Sequence, residues 1–190
     1  MCKKDEKYLF LERVVLTQST NLENPSSVID KCISLAYKDM LTRGRHCLDT
    51  DLEKGSKEKT KLNSNRKDVL KTIIERHNYK YDREIINEFI DKTKNFGEKL
   101  SYGLAQKVVN MTFKYLYTFS EYTKLKIDFS NCDCPIDSHI LKKLELAEKY
   151  DWSTLKRKDY TNLQKIIKGK IKNDPLYKKL GKLAYDFKYW

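Results

Sequence analysis

The sequence predicts an all-α fold, a compact helical domain of about six to eight helices. Three observations carry that prediction. Apolar residues recur at three- and four-residue intervals, few segments alternate long enough to make a strand, and only six glycines and three prolines interrupt the chain. The 190 residues, 39% of them hydrophobic, suffice for one core, so residues 1–190 read as a single domain. The composition excludes collagen-like and low-complexity classes.

The first clear helix has Ser26 or Ser27 as its cap and carries Val28, Ile29, Cys32, Ile33, Leu35, Ala36, Tyr37 and Met40, ending before Gly44. From Thr50 to Lys67 large apolar groups almost vanish, which predicts an exposed, mobile loop over residues 50–67. Two amphipathic helices follow, Asp68 to His77 and Asp82 to Thr93, joined by a polar turn around Asn78. A loop with Asn95, Phe96 and Gly97 then leads into a helix from Tyr102 to Tyr117. Thr118 to Pro135 reads as irregular, with a short extended piece at Lys124 to Phe129. The next helix starts at Asp137 or Ser138, buries Ile140, Leu141, Leu144 and Ala147, and reaches about Tyr150. Helices from Tyr160 to Lys172 and from Pro175 to Trp190 complete the chain, the last with Asp174 as cap and proline in the first helical position.

Five cysteines, at 2, 32, 47, 132 and 134, make an odd count without a repeating spacing, which fits reduced thiols in a cytoplasm better than a disulfide scaffold. Cys132, Cys134 and His139 lack a second pair at zinc-site spacing, so no metal is expected. Apolar runs fall far short of the roughly 20 residues of a membrane span. The charged, tyrosine-containing start Met1 to Phe10 does not read as a signal peptide. The expectation is a cytoplasmic protein without a membrane partner.

Charge is uneven. The chain carries a formal +12, and Ser138 to Trp190 holds thirteen lysines and Arg157 against six acidic residues, which is 14 minus 6, or +8. Among those cations stand Tyr150, Trp152, Tyr160, Tyr177, Tyr185, Phe187, Tyr189 and Trp190. Cations that neutralise phosphates, beside aromatics that stack on bases, are what nucleic-acid binding requires. Solvated lysine faces with aromatics in the core are the plain alternative, and an acidic protein is the competing partner.

The helix from Tyr102 to Tyr117 divides into two faces. Leu104, Ala105, Val108, Val109, Met111, Thr112, Phe113 and Leu116 form a broad apolar surface, and Gly103, Lys107, Asn110 and Lys114 form a narrower polar stripe, which in an ordinary amphipathic helix faces solvent. Lys107 sits near the positive end of the helix dipole and close to Lys114. Both disfavour its ammonium, as a nucleophilic lysine requires. Asp137, after Pro135 and before a helical run, is first an N-cap. A carboxylate fixed by backbone amides is also a well-oriented acceptor for a lysine proton.

These two segments, Gly103-Leu-Ala-Gln-Lys107 and Ile136-Asp137-Ser-His139-Ile-Leu141, resemble the helix-hairpin-helix superfamily of DNA glycosylases over about residues 89–144. The separation of 30 positions between Lys107 and Asp137 looks most like its archaeal-type 8-oxoguanine branch. Gly97 and Gly103 stand six apart without the usual Leu-Pro-Gly-Ile-Gly hairpin, and the four-cysteine iron–sulfur loop of the endonuclease-III-like branch is absent, so no cofactor is expected. The resemblance implies excision of a modified base from double-stranded DNA, with the nucleotide flipped out and Lys107 and Asp137 as catalytic residues. It also implies Schiff-base abasic-lyase activity if Lys107 is the nucleophile, and excision by Asp137-directed water if it is not. Gly103, Gln106, Asn110, Lys114, His139 and Trp190 are the candidate nucleic-acid contacts.

Two other readings stand beside it. One is a non-catalytic basic helical factor of phage or mobile-element type that binds nucleic acid or an acidic protein surface. The other is a ribonuclease built on Arg43-Gly-Arg-His46.

Overall fold

The computed structural model describes residues 24–44, 57–96, 100–120 and 126–189. Among them lie eight α-helices and one 3-10 turn, with no strand. The helices are α1 (Pro25–Gly44), α2 (Lys57–Arg76), α3 (Glu84–Thr93), α4 (Tyr102–Phe119), α5 (Ser138–Lys143), α6 (Arg157–Ile171), α7 (Tyr177–Leu180) and α8 (Leu183–Tyr189). The 3-10 turn is Trp152–Thr154. The ribonuclease cluster lies mostly in undescribed residues. So do residues 50–56 of the expected loop and Lys124 and Leu125 of the extended piece, whose described part, 126–129, has no regular structure.

α4 is the axis of the fold, and every residue from Gly103 to Phe119 is buried. α1 lies along it, α3 and the 3-10 turn pack on it, and α6 and α8 close the remaining side. Each Leu, Ile, Val or Phe buried this way contributes roughly 1.5–3 kcal/mol, which gives a helix surrounded by other elements its place at the centre. Ser101 caps α4 by accepting from Leu104 N at 3.1 Å, and its hydroxyl donates to the Ser153 carbonyl, tying the start of α4 to the 3-10 turn. Tyr115 of α4 donates to Asp39 of α1 at 2.5 Å.

Several boundaries differ from the sequence expectation for identifiable reasons. The cap of α1 is Asn24, whose Oδ1 accepts from Ser26 N at 3.0 Å, rather than Ser26 or Ser27. α2 begins at Lys57, so the second half of the expected 50–67 loop is helical. Its lysines, glutamate and leucine favour helix despite the lack of a long apolar face. Arg66, buried against Tyr37, takes the packing position an apolar residue would fill.

α5 is shorter than expected. Glu145 adopts a left-handed conformation (φ 61°), and Leu146 N returns to Leu141 O at 2.9 Å, stopping the helix at Leu144. The single C-terminal helix expected from Pro175 to Trp190 is two, α7 and α8, separated at Gly181 (φ 55°). A Cβ there would lie 2.4 Å from the Ser130 carbonyl oxygen. Lys182 N then donates to Cys132 O at 2.9 Å, so the break lets the chain dock on residues 130–132.

Candidate active site

The polar stripe of α4 does not face solvent. Gly103, Gln106, Lys107, Asn110 and Lys114 are all buried: Gly103 faces the 3-10 turn, and the other four face the extended segment Cys132–Asp137, α6 and α8. That segment is buried without belonging to a sheet or helix, so its backbone N–H and C=O groups need partners from side chains. Two glutamines supply them. Gln106 of α4 accepts from Ile136 N at 3.1 Å and donates to Ile136 O at 2.7 Å. Gln164 of α6 does the same for Cys134, accepting from its N at 3.1 Å and donating to its O at 2.6 Å.

With its backbone so held, the segment presents two carboxylates. Asp137 caps α5 through Oδ1, which accepts from Ile140 N at 2.9 Å. Its other oxygen, Oδ2, takes Lys107 Nζ at 2.7 Å. The N-cap role and the lysine partnership therefore coexist at one residue. Asp133 is buried and meets Arg83 Nε at 2.5 Å, Lys182 Nζ at 2.9 Å and the Tyr160 hydroxyl at 2.9 Å. Its carboxylate holds the Arg83 guanidinium well above the usual range.

Asn110 stands between the two carboxylates. Its Oδ1 accepts from Tyr81 at 2.8 Å, and its amide donates to the Tyr160 hydroxyl at 2.8 Å and to Gln106 Oε1 at 3.1 Å. Burial pushes both phenols well up. Two turns beyond Lys107, Lys114 pairs with Asp186 of α8. Burial lowers the Lys114 pKa, and the Asp186 carboxylate opposes that shift.

The residues expected to contact nucleic acid thus have other surroundings. Gln106, Asn110 and Lys114 are engaged inside the protein. Gly103 is a close-packing position, since a Cβ there would stand 2.0 Å from the Trp152 carbonyl oxygen. His139 is half-buried, its Nε2 2.6 Å from the Tyr189 carbonyl oxygen, and so joins α5 to the end of α8. Trp190 lies outside the described residues. Of the C-terminal aromatics, Trp152, Tyr160, Tyr185 and Phe187 are buried in the core, while Tyr150 and Tyr177 are half-buried and Tyr189 is exposed.

A groove of about 500 Å³ opens on the surface at α5 and the 3-10 turn, and the buried Lys107 and Asp137 do not themselves line it. Ser138, next to Asp137, and Trp152, whose carbonyl rests on Gly103 one turn before Lys107, lie on its walls with Tyr150, Lys142 and Lys149. It has the size of a small-molecule site and aromatic walls, and its two lysines are balanced by Glu148 and Asp151.

Gln164, Asp133, Arg83 and Asp186 were not singled out from the sequence, and Tyr160 stood only among the aromatics expected to stack on bases. The signal for Gln164 was a polar residue on the inward face of α6, among Tyr160, Leu163, Ile167 and Ile171. Cys132 and Cys134 are buried thiols pushed well up by that burial, and no cluster of His, Cys, Asp and Glu among the described residues could hold a metal. No helix among them is long and apolar enough to cross a membrane. Searches with the chain match no protein-family model, no curated protein and no solved structure.

Proposed function

We propose that the chain is a DNA glycosylase that excises a modified base, with Lys107 as nucleophile and Asp137 as its proton acceptor. The observation that supports this reading is the 2.7 Å contact between Lys107 Nζ and Asp137 Oδ2, made across 30 positions at the start of a capped helix whose first residue, Ser138, lines a groove with aromatic walls. A flipped-out nucleotide enters the groove, its base against Tyr150 and Trp152. Lys107 passes a proton to Asp137, and the neutral amine attacks C1′ as the C1′–N bond breaks. The base leaves with the electron pair and takes a proton from solvent. Ring opening gives the Schiff base, loss of a C2′ proton cleaves the C3′–O bond, and hydrolysis frees Lys107. Where Lys107 does not attack, Asp137 directs water to C1′ and the product is an abasic site.

Borohydride trapping on duplexes carrying an abasic site or an oxidised base tests this. A covalent adduct that disappears in Lys107→Met, with excision lost in Asp137→Asn, is the expected result. Asn keeps the helix cap, so the second variant separates chemistry from folding. Adduct and excision both undiminished in these variants would overturn the assignment.

One observation favours the non-catalytic reading. Lys114 of the same helix and Asp186 of α8 form a second buried lysine–aspartate pair. A pair of this kind is therefore part of how α4 is seated, and under that reading both substitutions lower stability alike and leave binding unchanged.

A further inference from the structure

The outward face of α6 carries its own observation. At 100° per residue, Lys158, Asn162, Lys165, Gly169 and Lys172 fall on one exposed stripe, opposite the buried Tyr160, Leu163, Gln164, Ile167 and Ile171. Lys168 and Lys170 flank it, and the helix holds a single acid, Asp159. Successive stripe lysines are seven residues apart, or roughly 10 Å at 1.5 Å per residue, so the three span about 21 Å. Gly169, in the helix interior, has nothing within 4 Å of where a Cβ would be. A glycine there weakens the helix by roughly 1 kcal/mol relative to alanine, and no packing contact calls for it. What it leaves between Lys165 and Lys172 is bare backbone that a partner can approach closely.

We propose that this face of α6 is a docking surface for the sugar-phosphate backbone of a nucleic-acid duplex. The charge is one-signed and regularly spaced, and Asn162 adds a hydrogen-bonding amide of the kind that contacts phosphate oxygens. An anionic bilayer calls for cations backed by several penetrating apolar groups. Here Ile166, 42% exposed, is the one large apolar side chain that α6 exposes. In the chain, Leu155 and Lys156 lead from the 3-10 turn that carries Trp152 into the start of α6. This proposal rests on the DNA reading of the Lys107–Asp137 site but concerns binding alone.

Fluorescence anisotropy with a short unmodified duplex over a salt series tests it. Replacing Lys158, Lys165 and Lys172 by Gln removes three phosphate contacts at about 0.9 each, so the slope of log K against log salt falls by about 2.7. The matched replacement of exposed Lys61, Lys80 and Lys92 leaves the slope unchanged. Gly169→Glu places a carboxylate on the stripe while improving helix propensity, so binding weakens about fivefold or more at low salt and the thermal midpoint does not fall. Wild-type binding in the α6 variants overturns the proposal, as does a flat salt response, or association with anionic vesicles or an acidic peptide in place of the duplex. Lost trapping with duplex binding intact removes the Lys107 chemistry and leaves the α6 face. Intact trapping with unchanged binding in the α6 variants does the reverse.

Discussion

Gly103 rests directly on the carbonyl of Trp152, so close that no side chain fits between α4 and the 3-10 turn. Gly103→Ala is therefore expected to push the turn away, breaking the Ser101–Ser153 hydrogen bond and costing about 2–3 kcal/mol by the usual measure of overpacking. Denaturant unfolding checks this, and a midpoint equal to wild type would show that the contact is slack. Because Trp152 lines the groove, the same variant should also alter ligand affinity there.

Gly181 and Gly169 are predicted to respond in opposite directions to alanine. Gly181 is left-handed and crowded by Ser130 and Cys132, so Gly181→Ala destabilises. Gly169→Ala, with open space around it, stabilises by up to about 1 kcal/mol. Thermal melts of the two variants side by side decide the matter, since matching shifts are incompatible with it.

Lys114 gives stability a pH dependence of known sign. Burial places its folded pKa below the unfolded value, so the unfolded chain binds more protons and stability rises as pH climbs from the folded pKa toward about 10.5. Lys114→Met is expected to lose that alkaline rise. Comparing unfolding free energies of the two proteins across neutral to alkaline pH measures it, and parallel curves would count against it.

Tyr102 and Tyr185 act in the other direction. Burial raises both to about 12, so their contribution is complete below about pH 10 and is lost as pH rises toward 12. Tyrosinate absorbance should show these two titrating late. Replacing each by Phe should remove its late-titrating signal.

Gln106→Leu leaves the N–H and C=O of Ile136 buried without their partner, at a cost of about 2–6 kcal/mol for two such groups. Amide exchange should accelerate first at Ile136, ahead of the rest of the core. Uniform loss of protection would mean that the segment is not held locally.

The legible parts of the fold were those where pattern is local. The Ile85, Ile86 and Phe89 spacing marks α3, the apolar face marks α4, and Asp137 shows itself as a cap from Pro135 and the following helical run. The pairing of Lys107 with Asp137 was legible as a motif, but the depth of the stripe was not. Its partners Asp137, Tyr160 and Asp186 come from 30 to 72 positions away (137 minus 107 to 186 minus 114), and helical period alone cannot tell solvent from a buried polar partner. The break at Gly181 escaped notice because its reason, the approach of Ser130, lies some fifty residues earlier.

A helix apolar on nearly every side has little to choose between neighbouring registers as the chain collapses, since greasy surface fits greasy surface in many ways. The row Gln106, Lys107, Asn110 and Lys114 removes that freedom. Sliding α4 by one turn would part Lys107 from Asp137, Lys114 from Asp186 and Gln106 from Ile136, all of them buried. Each such mismatch costs several kcal/mol. The stripe therefore works as a key with a single seating, and the chain reaches its final arrangement by rejecting the wrong alignments as much as by favouring the right one.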